Sequence, residues 1–490
     1  MERKDSIEST EKIVILEGPL TTNEHSDAEF ESVVWRKVDI CVVVTVFYLL
    51  SWLDRTNLGN ARIAGLQTDL RLTNNQYSIS LTMTLIPFLC SGLPVNLLMK
   101  IVGPNILLPT LLTLWGIVTT LQGTVHTFGG LLACRFFLGF FEGGMIPAIT
   151  LYMSLFYPRA KLQQRLSIVY SAASLAGAFS GLLAAAILHM DGIGGKPGWA
   201  WIFILEGLFT VFFGLLSFFV IPRSAKHCTL LNAREREYVM DRLREDGALS
   251  QHESADHFAW GEIVQALKFP HVWFILVLFF FNGILIYSLG YFTPSIVQGL
   301  GWSGTMLGHH TRAQLMTVPP YAVGFVVTNV GSYIADHYKL RGAVRIVCSI
   351  CLTAGFAMFL ASHSTSVQYG SLFLAIPGAN AVSPAITSWV ANNTAPHVRR
   401  ASAIAFACVL TNIGGILATW LFGSLSPPPR YTSATVVLLV ASVGLGIAAA
   451  GNVVYLWDQN RRKDRLRAMI SKDEEPEGLG DRSAWFTYIL

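Results

Sequence analysis

Charge is what this chain has least of. Lysine and arginine supply 35 of its 490 residues and aspartate and glutamate 31, together 13%, where a soluble globular domain carries about 25%. Cysteine is sparse too, seven residues scattered without a framework, which excludes a disulfide scaffold. A formal net charge of +4 is too small to imply a nucleic-acid partner. The sequence has no Walker-type phosphate loop, no zinc or haem ligand pattern and no nucleophile with a base, so an enzyme, a metal or other cofactor and direct ATP drive are not expected. Residues 1–37 hold no apolar run near the start, so no cleavable signal peptide is expected.

Apolar surface is what the chain has in excess. Its mean hydropathy is +0.48, more than a soluble core could hide. Apolar segments fall at residues 38–60, 77–99, 104–124, 127–154, 166–189 and 199–221. A second set falls at 271–293, 314–335, 343–362, 369–393, 401–423 and 432–456. Each can cross about 30 Å of hydrocarbon as a helix of about 20 residues. The expectation is an all-α membrane protein with twelve transmembrane helices, six in residues 38–221 and six in 271–456. A disordered tail (1–37), a polar loop (222–270) and a second tail (457–490) complete the chain. In the loop, the run from Asn232 to Leu243 reads as a capped amphipathic helix.

Basic residues orient this array. With the segments threaded alternately, 28 of the 35 lysines and arginines fall on the side of the tails and the long loop. Only Arg62, Arg71, Lys196, Arg312 and Arg430 fall on the other, and Arg55 and Arg135 lie inside segments. Both termini are therefore expected in the cytoplasm. A miscount by one segment would flip every later loop and destroy the asymmetry.

A charge at mid-membrane costs at least about 2.5–3.5 kcal/mol, so each needs a partner or a task. The run Ile40–Leu53 is 14 residues, too short to span, so Asp54, Arg55 and Asn57 must be drawn into the bilayer to complete the crossing. In the fourth segment Arg135 and Glu142 stand seven apart, two helical turns along one face and about 10 Å along the axis. Glu206 is the fifth charge, beside Gly207, and structural and functional roles are equally open for it. Buried ion pairs that fix packing are the simplest reading of any one of these. Asp54, Arg55, Arg135 and Glu142 together exceed what packing requires, since buried pairs rarely outperform apolar residues in stability. Gly177, Gly181, Gly139, Gly143 and Gly144 allow helices to approach closely. Pro87, Pro94, Pro147, Pro319, Pro320, Pro377 and Pro384 place kinks inside spans. Cys348 and Cys351 share a helix face and read as packing, and Asn392-Asn-Thr394 lies at the cytoplasmic end of a segment, where glycosylation is not expected.

Several stretches together resemble one known family: Leu53-Asp-Arg-Thr-Asn-Leu-Gly-Asn-Ala61, Pro94-Val-Asn-Leu-Leu-Met-Lys100, Arg135 to Pro147, Tyr170-Ser-Ala-Ala, Trp201-Ile-Phe-Ile-Leu-Glu-Gly207, Thr317-Val-Pro-Pro-Tyr321, Trp389-Val-Ala-Asn-Asn393 and Asn412-Ile-Gly-Gly415. They are similar to the fungal anion:cation symporters of the major facilitator superfamily, the group of allantoate permeases and high-affinity nicotinate transporters, over about residues 35–457. The resemblance implies two six-helix bundles around a central cavity and alternating access coupled to protons. It also implies that Arg55 and Arg135 face an anionic substrate, and that Asp54 and Glu142 carry protons. Asp336-His-Tyr-Lys-Leu-Arg341-Gly342 resembles the cytoplasmic gating motif, with Asp336 and Arg341 as its charged pair. The chain departs from the family where Gly92 and Val95 replace the Glu and Ser of the second-helix motif and Ala200 replaces an Arg. The helix-five motif of drug:proton antiporters is missing.

The resulting expectation is a proton-coupled importer of a small organic carboxylate such as nicotinate or allantoate. It would act as a monomer in the plasma membrane, with the lipid bilayer and protons as its other partners. Asn57 is expected beside the arginines in the substrate site and Glu206 beside Asp54 and Glu142 in coupling. With Asp54 holding one arginine and Glu142 near the other, an arriving carboxylate would displace Glu142 as counter-ion and favour its protonation. The alternative is an exporter of a fungal secondary metabolite encoded in a biosynthetic gene cluster. A nutrient receptor and an intramembrane enzyme are more distant readings.

Overall fold

The computed structural model describes residues 34, 40–157, 159–228, 231–245, 268–301, 309–337, 341–394, 397–426, 431–469, 475 and 483–489. The expected tail 1–37, apart from Val34, and most of the second half of the polar loop lie outside the described residues.

The long helices follow the apolar segments. The first six are α1 (Cys41–Ala61), α2 (Asn74–Val102), α3 (Pro104–Gln122), α4 (Phe128–Gly143, continued by Met145–Ser154), α5 (Arg159–Ile187) and α6 (Gly198–Val220). The second six are α7 (Pro270–Gly299), α8 (Val318–His337, preceded by His309–Leu315), α9 (Arg341–Ala361), α10 (Thr365–Asn393), α11 (His397–Trp420) and α12 (Thr432–Arg467). No strand occurs among the described residues. The short helix Ala233–Glu245 fills the described part of the loop, and Glu235 Oε2 accepts from the Asn232 amide at 2.9 Å. Helix ends obey local chemistry. Thr73 and Gln76 form a reciprocal capping box at the start of α2, and Gly65, at φ 109°, closes the turn after α1.

Eight of these helices are long and apolar enough to cross a membrane by length and composition: α3, α4, α5, α6, α7, α9, α11 and α12. The other four, α1, α2, α8 and α10, run 21, 29, 20 and 29 residues. Each of the four faces the other set as well as its own.

The two sets pack by the same rule. In the first, α1 pairs with α5, α2 with α4 and α3 with α6. In the second, α7 pairs with α11, α8 with α10 and α9 with α12. Across the sets α1 meets α7, α2 meets α11 and α5 meets α8, so corresponding helices make corresponding contacts. The hydrogen bonds joining the sets lie at mid-height or toward the end away from the basic loops. Ser78 donates to the Thr419 carbonyl (3.0 Å), Thr82 meets Thr419 (3.2 Å), and Gln314 reaches the Asn60 carbonyl (3.5 Å). At that end a Cβ on Gly59 would stand 2.3 Å from the Tyr291 carbonyl oxygen, so α1 and α7 touch backbone to backbone. Gly177 and Gly181 pack across the sets, against Tyr321 and Thr317, whereas Gly139, Gly143 and Gly144 pack within the first set against α2.

The closest pairing inside a set is built from glycines. Gly116 and Gly123 of α3 and Gly207 and Gly214 of α6 stand seven apart on each helix. A Cβ at each would fall 2.7, 2.6, 2.4 and 2.5 Å from atoms of the facing helix. Association in lipid depends on such close packing, because apolar burial gives no advantage over lipid tails. Gly207→Val is expected to wedge α3 from α6 and cost about 1–3 kcal/mol by overpacking. Thermal unfolding of the purified protein in detergent, followed by tryptophan fluorescence, should show the loss, with Gly370→Ala, which meets nothing within 4 Å, as an unaffected control.

Candidate functional site

About two and a half turns of α1 carry the site. The helix runs without a break through the predicted short span, and Ser51, Asp54, Arg55, Thr56, Asn57 and Asn60 are all buried. Successive residues of a helix point about 100° apart, so neighbours in sequence address different partner helices.

Arg55 faces α4. Its Nε and Nη2 both lie 2.7 Å from Glu142 Oε1, and Ser51 donates its hydroxyl to the same oxygen at 2.5 Å. The remaining arm donates to Tyr287 Oη of α7 at 3.0 Å, and that hydroxyl in turn donates to Asn412 Oδ1 of α11 at 2.9 Å. The guanidinium is also enclosed by rings, 4.8 Å from Phe88 and 5.1 Å from Trp52. Glu142 Oε2 has no hydrogen-bond partner.

Asp54 faces α3, where Oδ2 accepts from Trp115 Nε1 and from Thr119 Oγ1 at 3.1 Å. Asn57 faces α6, and its amide nitrogen donates to Glu206 Oε2, leaving Glu206 Oε1 without a partner. Of the two expected pairings of carboxylate and arginine, the described residues show the one at Glu142. Asp54 holds no arginine within ion-pair distance among the described residues, and Glu142 serves Arg55 and not Arg135. The reason is geometric: Asp54 and Arg55 diverge around the helix, and two turns of α4 keep Glu142 about 10 Å from its own Arg135 along the axis.

Arg135 is left alone. It is 2% exposed and makes no hydrogen bond or ion pair among the described residues. The Phe203 ring stands 5.8 Å from its guanidinium carbon, and Asp54, Tyr77 and Tyr291 lie near enough to act on its charge without bonding it. Two other buried amides, Asn60 of α1 and Gln122 of α3, have both side-chain polar atoms unpartnered among the described residues.

A small cavity lies between the sets, lined by residues of α1, α5, α7, α8 and α10 that include Trp52, Thr56, Gly290, Tyr321 and Asn380. None of the expected site residues lines it. Trp52 and Thr56 do, on either side of Arg55 in sequence, and Asn380 Nδ2 is buried there without a partner. Asp336 ends α8 and Arg341 begins α9, so the expected gating pair sits on two helix ends, but its side chains lie outside the described residues.

Sequence reasoning did not assign roles to Ser51, Trp115, Thr119 and Tyr287. The available signal was weak: polar or amphipathic residues within spans, which also serve ordinary packing. Among the described residues no disulfide forms and no cluster of metal-ligating side chains occurs.

The model of the Major Facilitator Superfamily matches residues 44–419 of the chain. An uncharacterised transporter of Schizosaccharomyces pombe is 32% identical over 96% of this chain and 92% of its own length. An MFS-type transporter of Hormonema carpetanum is 32% identical over 91% and 89%. Among solved structures, the xylose transporter XylE of E. coli, in a partially occluded inward-open conformation, is similar with a TM-score of 0.64. Its identity is 16%, and the match covers 86% of this chain and 96% of that one. With the family match spanning both helix sets, the chain belongs to the major facilitator superfamily and is a multi-pass membrane transporter.

Proposed function

We propose that this transporter moves a small organic carboxylate together with protons by alternating access. In this reading residues 38–221 and 271–456 are its two six-helix bundles, and all twelve long helices cross the bilayer. The loop 222–270 and both tails are cytoplasmic, at the plasma membrane, and the protein works as a monomer. Asp336 and Arg341 gate the cytoplasmic side.

The observation that carries the reading is the buried Arg135, which makes no hydrogen bond or ion pair among the described residues. A buried charge without a partner costs several kcal/mol, and stability alone would favour an apolar residue there. An anion that arrives at Arg135 removes that cost, so binding strength and selectivity for negative charge follow from one side chain. Planar bidentate contact with a guanidinium favours a carboxylate.

Charge counting supplies the coupling. Two arginines and three carboxylates, Asp54, Glu142 and Glu206, occupy the buried region. When all are ionised the arginines are already outnumbered, and an incoming monoanion deepens the excess. A proton on a carboxylate restores the balance. Glu142 is placed for this role, since its hold on Arg55 rests on Oε1 alone and Oε2 is unpartnered. An anion that draws Arg55 toward itself leaves Glu142 without its cation, which favours the protonated acid. The loaded core, carrying the same net charge as the empty one, can then reorient about the midplane site.

Three outcomes are expected. First, Arg135→Met should abolish uptake while lowering thermal stability far less than loss of Arg55, because it removes a charge that makes no hydrogen bond or ion pair among the described residues. Arg55→Ala should abolish uptake and also destabilise by about 3–5 kcal/mol, because it leaves Glu142 buried without its partner. Uptake by a null strain over nicotinate, allantoate and pantothenate, with an ionophore control, together with melting of each purified variant, checks both. Normal transport by Arg135→Met would move the anion site elsewhere.

Second, Glu142→Gln mimics the protonated acid. Proteoliposomes carrying it should exchange labelled for unlabelled substrate yet fail to accumulate it when a pH gradient is imposed. Accumulation at the parental level would shift coupling to Asp54 or Glu206. Third, epitope tags at residue 5 and within 245–255 should be unreachable by antibody in intact cells and reachable after permeabilisation.

A further inference from the structure

After α12 the chain returns to the helix ends and binds them. Segment 483–489 makes a turn, in which the Phe486 amide bonds the Ser483 carbonyl at 3.2 Å, and then extends. Its main-chain groups are met one after another by side chains. On α12, Arg467 Nε donates to the Ala484 carbonyl (2.6 Å) and Lys463 Nζ to the Phe486 carbonyl (2.9 Å). Asn460 pairs with both the amide and the carbonyl of Tyr488, each at 2.9 Å. These three residues are spaced four and three apart, so they stand on one face of α12. On α10, Asn393 pairs in the same two-way fashion with Ile489, each bond 2.8 Å, and Trp389 Nε1 shares the Ile489 carbonyl at 2.9 Å. The Tyr488 ring is buried, 6.5 Å from the His271 ring of α7 and 3.9 Å from Lys463 Nζ.

An asparagine that satisfies both main-chain groups of a residue reads an extended peptide as a neighbouring strand does. Two such asparagines on different helices fix the peptide across the gap between them. Neither is needed for packing a bundle in lipid, where an unpartnered amide is costly. We infer that the ends of α7, α10 and α12 form a docking groove for segment 483–489, and that the docked segment clamps the end of α10 to α12.

The clamp has a mechanical consequence, which rests on the alternating-access reading. Pro377 and Pro384 interrupt the hydrogen-bond ladder of α10. Asn380, on the cavity wall, lies before Pro384, and Trp389 and Asn393, in the clamp, lie after it. A bend at Pro384 therefore moves the clamped end relative to the cavity. The described hydrogen bonds between the sets are at mid-height or the opposite end, so the docked segment holds α10 in the arrangement where the basic end is not drawn together by them. Release of the segment frees α10 to swing toward the first set.

Electron paramagnetic resonance on the full chain tests this without substrate. A spin label at Thr487→Cys, in a background lacking the native cysteines, should be immobilised in the parent and lose that immobilised component in Asn393→Ala/Asn460→Ala. In a second experiment, labels at Lys226→Cys and Asn392→Cys should give a single long distance in the parent. A shorter population should appear in the double-alanine protein and also on removal of residues 483–490, which leaves every long helix intact. A mobile label at 487 in the parent overturns the docking. Unchanged 226–392 distances in a protein whose 487 label has become mobile overturn the clamp. Loss of uptake with either spectrum unchanged bears on the transport reading alone.

Discussion

A guanidinium buried in a membrane protein must be balanced, and the Arg55–Glu142 pair is where this fold meets that demand. One carboxylate oxygen takes two nitrogens of Arg55 and the hydroxyl of Ser51, so α1 and α4 are tied at the depth where charge is most costly. The third arm reaches Tyr287 and through it Asn412, which carries the tie from the first helix set into the second. The cavity between the sets borders the same stretch of α1. Loss of the pair would therefore weaken the first set, the bridge to the second and the wall of the cavity at once.

Arg135 shows the opposite design choice. The two arginines are buried to nearly the same degree, yet one is well supplied with partners and the other makes no hydrogen bond or ion pair among the described residues. A fold that can balance one arginine and leaves its neighbour unbalanced is storing free energy that a ligand can release. Glu206 and Asp54 are intermediate: each is anchored by a neutral donor, an amide or an indole and a hydroxyl, which holds the carboxylate in place without fixing its charge.

Much of this was legible in the sequence. The positions of the long helices follow from apolar runs, and the five charged residues within them stand out because the chain has so few charges. The partners were not legible. Which carboxylate meets which arginine depends on how far each helix is rotated about its axis, and a seven-residue spacing says only that two side chains share a face. Asp54 and Arg55 are adjacent in sequence and diverge in space. Trp115, Thr119 and Tyr287 read as ordinary span residues until the rotation of α1 is known. The return of segment 483–489 was hidden for another reason: its contacts are made by its main chain, which carries no sequence signature, and the asparagines that read it resemble ordinary helix-end residues. The α12 helix likewise runs to Arg467, past the apolar segment that ended at 456, because helix propensity and charge pairs such as Asp458–Arg462 sustain it beyond hydrocarbon.

The glycine contact between α3 and α6 bears on motion as well as stability. Helices that interlock at four backbone points cannot slide without lifting apart, so the pair behaves as a stator. Asp54 is fastened to α3 and Asn57 to α6, which pins α1 to that stator at two points one turn apart. Arg55, between the pins, is the contact directed away from it, toward α4 and α7. When the transporter changes state, α1 must keep its place beside α3 and α6, and the strain of reorientation falls on the guanidinium and the hydroxyl it meets across the divide.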